Sequence, residues 1–215
     1  MSQESGPSAR SAGDILLRRL SMRFNAKQMT TGLLMLGLWY GLTGGAAALA
    51  ASDKQTSRIE TALAAAPKAT WIAQGQGRRE LYVIFDPNCG YCQLLYKNLQ
   101  TFIAPYALQL RWIPVAIVDA TSLGKAAAIM QAQDPKTALD YNEAHYNTNT
   151  YTGGISEEIP SATTESRLRA NEALLNQVGI PVVPTMLFRA KSGEAMVIQG
   201  ALSPIALRKV LDRVR

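Results

Sequence analysis

Cys89-Gly90-Tyr91-Cys92 holds both cysteines of the 215-residue chain. Thiols at this spacing are open to three chemistries: a redox dithiol, half of a metal site, or a structural disulfide. A structural zinc site needs four nitrogen or sulfur ligands, and the chain adds only one histidine, His145. A disulfide closing so short a loop would stabilise little by the chain-entropy argument. The redox reading accounts for placement as well as spacing. Pro87 and Asn88 break an apolar run, and Cys89 then opens a helical pattern. A cysteine there faces unpaired backbone N–H groups and the positive end of the helix dipole, and both favour thiolate over thiol. Cys92, one turn on, can attack a mixed disulfide at Cys89 and release the partner. Cys89 is therefore expected to be the nucleophile and Cys92 the resolving thiol. Gly90 and Tyr91 lie between them, with Tyr91 expected either to pack over the dithiol or to touch substrate. The dithiol is itself the redox centre, so no further cofactor and no metal are expected.

The elements that must hold the dithiol follow from hydrophobic pattern. Glu80–Asp86 (ELYVIFD) carries a continuous apolar run and predicts a buried central strand. The helix opened by Cys89 runs to about Thr101, with Leu94, Leu95, Leu99 and Phe102 as its core face. Leu108–Val118 predicts a second strand, bent at Pro114. Residues 123–133 and 164–178 read as helices, and the polar stretch Tyr141–Pro160 between them as loop. Pro184–Ala190 and Ala195–Gly200 form a hairpin. Ser203 caps a last helix with Pro204 at its first position. Upstream, Ser52–Ala66 reads as an amphipathic helix, Trp71-Ile72 as a connection and Gln74–Gly77 as a turn. The order β-α-β, helical block, β-β-α implies one α/β domain with an insertion.

Gly179–Thr185 (GIPVVPT) leads straight into a strand. Pro184 there donates no ladder hydrogen bond; a cis Val183–Pro184 peptide would explain its position and set the Val183 backbone beside the dithiol for a substrate strand. The other polar and aromatic residues have plainer readings. His145 is a surface loop residue, Trp71 and Trp112 belong to the core, and Arg78-Arg79 forms a solvated turn. Tyr141, Tyr146 and Tyr151 either line a substrate groove or belong to a loosely ordered insertion.

Composition narrows the class. With 47% hydrophobic and 18% charged residues and a mean hydropathy of −0.01, the chain is neither disordered, collagen-like nor a multispan membrane protein. The net charge of +6 does not signal nucleic-acid binding. Residues 1–50 hold five basic and two acidic residues, which is half of that charge. They also hold an uncharged segment from Gln28, apolar over Met29–Thr43, followed by small residues and an Ala48-Leu49-Ala50 site. This is a secretory signal pattern, with cleavage expected after Ala50. An uncleaved anchor is the alternative, and either way the rest of the chain is exported.

Phe85–Cys92 (FDPNCGYC), with the distant Pro-led strand, resembles the exported thiol–disulfide oxidoreductases of the thioredoxin superfamily. More closely it resembles the DsbC/DsbG group of periplasmic disulfide isomerases. Gly90-Tyr91 is the dipeptide associated with DsbC, while Thr70–Ala73, Ala126–Lys136 and Asn171–Pro184 are nearer to DsbG. The resemblance covers roughly residues 53–215. It implies a linker helix over 51–69 and a thioredoxin-like α/β domain over 70–215, with a helical insertion at about 120–178. It further implies reduction or isomerisation of protein disulfides, or rescue of sulfenylated cysteines. The implied partners are unfolded or misoxidised exported proteins and a DsbD-like membrane reductant, in the periplasm. Three features depart from the group. Val183 stands where it usually has Thr, and Val83 where thioredoxin buries an acid, with Glu80 and Asp86 the nearest upstream carboxyls. About thirty residues separate Ala50 from the first strand, too few for the group's dimerisation domain, so a monomer is expected. A DsbA-like oxidase and a non-catalytic periplasmic chaperone are the alternative functions.

Overall fold

The computed structural model describes residues 53–215, so the expected export segment lies outside the described residues. A five-stranded sheet runs in the order β1-β3-β2-β4-β5, with β1 Ile72–Gln74, β2 Arg79–Phe85, β3 Leu108–Pro114, β4 Thr185–Arg189 and β5 Ala195–Gln199. Strands β2 and β3 are parallel, and the other neighbours are antiparallel. Helix α1 covers residues 53–65. The remaining helices are α2 Gly90–Gln100, α3 Ser122–Gln131, α4 Pro135–Ala144, α5 Ala162–Val178 and α6 Pro204–Leu211. The architecture is the expected thioredoxin-like α/β fold, with α3, α4 and α5 inserted between β3 and β4.

Because successive strand residues point to opposite faces, β2 divides its run between two cores. Leu81, Val83 and Phe85 pack with Leu95 and Leu99 of α2, Ile129 of α3, Leu139 of α4, and Leu207 and Leu211 of α6. Tyr82 and Ile84 pack with Ala62 and Leu63 of α1, and with Leu174, Leu175 and Val178 of α5. Burial on both faces is why β2 reads as a continuous apolar run rather than an alternating one.

Several expectations need correction. Residues 72–74 are not connection and turn but an edge strand, paired antiparallel with Trp112, Arg111 and Leu110 of β3. The predicted loop begins inside helix α4. Asp134 caps that helix, its Oδ1 accepting the N–H groups of Lys136 and Thr137 at 3.0 and 3.1 Å, with Pro135 at the first position. Leu94 faces solvent rather than the core. Trp112 is buried as expected, but Trp71 is only half-buried beneath the Arg111 guanidinium. Arg79 does not lie in a solvated turn: its Nε and Nη2 donate to the Val214 carbonyl at 3.1 and 2.7 Å, and its guanidinium also reaches the carbonyls of Leu211 and Tyr106. It thereby satisfies carbonyls that the end of α6 leaves open.

Asn171 of α5 ties the insertion to the sheet. Fully buried, it donates to the carbonyls of Thr70 and Pro114 at 3.0 and 2.8 Å and accepts the Thr70 N–H at 3.1 Å. Asn171→Ala would strand these three backbone groups. It is expected to lower unfolding free energy by about 3 kcal/mol, measured by urea denaturation.

Candidate active site

The polypeptide leaves β2 at Phe85 and reverses through Asp86-Pro87-Asn88 before entering α2. Asp86 is wholly buried, yet four donors surround its carboxylate: the N–H groups of Asn88 (2.8 Å), Ile117 (2.7 Å) and Val118 (3.0 Å), and the Ser122 hydroxyl (2.8 Å). Burial raises its pKa, and these hydrogen bonds oppose the rise. The Asn88 side chain extends the network. Its Nδ2 donates to Asp119 and Thr121 at 2.9 and 2.7 Å, and its Oδ1 accepts the Gly153 N–H at 3.0 Å.

Cys89 is the N-cap of α2, with the Cys92 N–H donating to its sulfur at 3.2 Å. Both cysteines are free thiols; Cys89 keeps 8% of its surface exposed and Cys92 1%, so an incoming disulfide meets Cys89 first. The side chain of Cys92, donating to Cys89, holds the Cys89 pKa below the usual thiol value; burial and the Asp86 charge work against this, and the N–H groups of Cys92 and Tyr91 assist it. Burial pushes Cys92 well above that value, and its interactions with Cys89 add to the rise. The two thiols are thus electrically distinct.

The Val183–Pro184 peptide is cis, as its position before a strand suggested. The Cys89 thiol lies 3.6 Å from the Val183 carbonyl, bringing together residues that are 94 positions apart. Val183 is half-buried and Pro184 buried. Tyr91 (69% exposed), between the cysteines, and Val182, next to Val183, show apolar surface to solvent, as do Ile117 and Val118, whose N–H groups meet Asp86. Gly90 sits under Tyr146, whose hydroxyl donates to the Asn88 carbonyl at 3.2 Å. His145 is exposed and stacks on Tyr141 at 4.1 Å between ring centroids. Glu80 stands away from the dithiol, paired with Arg111.

Sequence reasoning missed the contribution of α4 and the loop after it. Asn142, fully buried, donates to the Pro87 carbonyl at 3.0 Å. The loop returns so closely that a Cβ on Gly153 would lie 2.1 Å from Asn142 Oδ1 and 2.4 Å from the Pro87 oxygen, so only glycine fits there. Glu143, 3% exposed, has one oxygen accepting from Asn142 Nδ2 at 3.1 Å and the other without a partner. Burial pushes its carboxyl up to about 8, and the Cys89 and Asp86 charges add to the rise. Pro135 after Asp134 could have revealed the helix, but no local signal marks its buried acid.

Two outcomes follow. Cys89 should alkylate with a pH midpoint below the ~8.5 of free cysteine, with Cys92 unreactive over the same range, as read by mass spectrometry of the labelled peptides. Folding raises the Glu143 pKa from the ordinary 4.5 to about 8, so the native state binds its proton more tightly than the unfolded chain. Stability contributed by this group therefore declines as pH rises from about 4.5 to 8. Denaturation of wild type and Glu143→Gln at pH 5 and pH 8 should show wild type losing ground to the variant at the higher pH.

Residues 66–215 match the family described as thioredoxin-like domain. The thiol:disulfide interchange protein DsbG of Pseudomonas aeruginosa is 30% identical over 146 residues, covering 67% of this chain and 56% of that protein. The probable thiol:disulfide interchange protein DsbC of Bordetella avium is 28% identical over 150 residues, covering 65% of this chain and 44% of that one. The chain thus spans about half the length of these curated relatives. A linker-deleted variant of Proteus mirabilis ScsC shares the fold, with a TM-score of 0.61 and 17% identity over 89% of this chain and 97% of the other. The family match runs from the end of α1 through α6, and the chain belongs to the thioredoxin-like domain family.

Proposed function

We propose that this chain is a periplasmic protein thiol–disulfide oxidoreductase that reduces or isomerises disulfides in misoxidised exported proteins. The observation that carries the reading is the asymmetry of the dithiol: Cys89 is the N-cap of α2, keeps a small exposed surface and is lowered in pKa, while Cys92 is fully enclosed and raised. The Cys89 thiolate attacks one sulfur of a substrate disulfide, and the other sulfur leaves as a thiolate that takes up a proton. Cys92 then attacks Cys89, the mixed disulfide breaks, and the substrate departs reduced while Cys89 and Cys92 become a disulfide. In isomerisation a second substrate thiol displaces Cys89 before Cys92 acts.

The exposed apolar residues around Cys89 suit extended, unfolded segments better than folded surfaces. Repeated reduction requires an electron source, for which a DsbD-like membrane reductant is the partner in this reading. The enzyme works as a monomer, exported by a signal segment within residues 1–50 that is removed near Ala50 or kept as an anchor. No helix among the described residues is long and apolar enough to cross a membrane. One observation favours a second reading, a DsbA-like oxidase: a stabilised Cys89 thiolate stabilises the reduced form and so makes the disulfide more oxidising.

The redox state of the pair in cells separates the two. A mostly dithiol pair supports reduction or isomerisation, and a mostly disulfide pair supports oxidation. Cys92→Ser should accumulate mixed disulfides with exported proteins on non-reducing gels, and Cys89→Ser should abolish both these adducts and insulin reduction. Full activity in Cys89→Ser would overturn every redox version.

A further inference from the structure

Residues 146–153 of the insertion meet the turn that carries the dithiol, and the exchange steps above give them no task. Both ends of this stretch are fastened there. At the first end, the Tyr146 hydroxyl donates to the Asn88 carbonyl at 3.2 Å and stands 3.0 Å from where a Cβ on Gly90 would lie. At the second, the Gly153 N–H donates to Asn88 Oδ1 at 3.0 Å, with Pro87 so near that only glycine fits. The six residues between, 147–152, therefore project from the same turn that leads into Cys89.

These six residues form a closely bonded hairpin. The Asn147 N–H donates to the Thr152 carbonyl at 2.8 Å, and the Thr152 N–H returns to the Asn147 carbonyl at 3.3 Å. Asn147 Oδ1 accepts the N–H groups of Asn149 and Thr150 at 2.9 and 3.2 Å, and the Thr150 and Thr152 hydroxyls lie 2.8 Å apart. Within this frame Tyr151 holds a φ of 56°, a left-handed conformation that bulky residues rarely adopt. Glycine or asparagine would take it at lower cost, yet the position carries an aromatic residue that is 71% exposed. A strained aromatic residue turned to solvent adds little to the core, and such outliers gather at binding and active sites. Tyr151 is two residues from Gly153, at most about 7 Å of backbone, and the exposed Tyr91 follows Gly90 directly. No charged residue occurs from Tyr146 through Ser156, so this surface meets a partner through aromatic faces, hydroxyls and amides.

We propose that this hairpin reads the substrate chain beside the attacked cysteine, with Tyr151 selecting an aromatic or aliphatic neighbour of that cysteine and Tyr146 positioning the hairpin. The inference rests on the exchange role of Cys89 proposed above and names the substrate class for that site: extended segments whose cysteine is flanked by an apolar residue. An extended chain advances about 3.3 Å per residue and turns successive side chains to opposite sides. The residue next to a cysteine captured at Cys89 thus comes to lie over the turn on which the hairpin stands. Contact with a tyrosine ring there removes apolar surface from water on both partners. The hairpin is hydrogen-bonded before substrate arrives, so little ordering cost attaches to the contact. Tyr146 remains a donor throughout, since burial, reinforced by the Cys89 and Glu143 charges, pushes its hydroxyl up to about 12.

The test compares two disulfide-linked model peptides that differ only in the residue beside cysteine, Phe in one and Gly in the other. Reduced protein is mixed with each, acid-quenched and followed by mass spectrometry, and each rate is divided by that of dithiothreitol with the same peptide. Wild type should prefer the Phe peptide about 10-fold. Tyr151→Gly suits the left-handed backbone and so removes the ring without disturbing the hairpin; it should reduce the preference to about 2-fold or less. Tyr151→Phe, which keeps the ring, should retain it. Tyr146→Phe, which releases the hairpin from the Asn88 carbonyl, should lower the preference about 3-fold. Equal rates for the two peptides in wild type, or a preference that survives Tyr151→Gly, would overturn the assignment, and a preference untouched by Tyr146→Phe would remove the positioning role. Each of these results would leave the Cys89/Cys92 reading standing, whereas failure of wild type to react with either peptide would remove both.

Discussion

A buried carboxylate cannot stay charged without donors around it, and Asp86 imposes that requirement where the central strand meets the active-site helix. Its donors come from its own turn, from the segment after β3 and from α3. Satisfying one side chain therefore joins three stretches of chain and fixes the direction in which the backbone leaves β2. Cys89 is the next free position after that turn, which is how it becomes the N-cap of α2. Asn88 and Asn142 extend the same network to the insertion, so α4 and its following loop are fastened to the turn through Pro87 and Gly153.

This arrangement sets two buried acids and two thiols in one small volume with different electrical surroundings. Asp86 is held by four donors, whereas Glu143 has one and rises to about 8. Cys89 receives hydrogen bonds and falls; Cys92 donates one, is fully enclosed and rises. The same principle separates each pair: a group surrounded by donors keeps its charge, and a group surrounded by apolar atoms or like charge keeps its proton. A dithiol so divided has a built-in order of events, with the outer sulfur reacting first and the inner one second.

Elements whose signals are local were legible from the chain. The apolar run of β2, the capped helix α6 and the β4–β5 hairpin each carry periodicity or turn chemistry within a few residues. So did the dithiol, because its helix N-terminus follows directly from Pro87 and Asn88. Strand β1 was missed because three residues become a strand only by pairing with β3. Helix α4 was hidden by its polar composition, since it buries Leu139 together with Asn142 and Glu143 rather than an apolar stripe. Arg79 was misread because its partners lie more than 130 residues away at the end of α6.

The sequence by itself determined the fold class, the Cys89/Cys92 pair and the proline-led strand opposite it, because helix and strand periods, caps and breaks act over short separations. Only the tertiary structure decided how that pair is surrounded. It set the Val183 carbonyl against Cys89, enclosed Cys92 and buried Glu143 with one carboxyl oxygen left without a partner. Burial and charge at a site are sums over atoms that meet only after folding, and no residue records in its own neighbourhood what will later be packed against it.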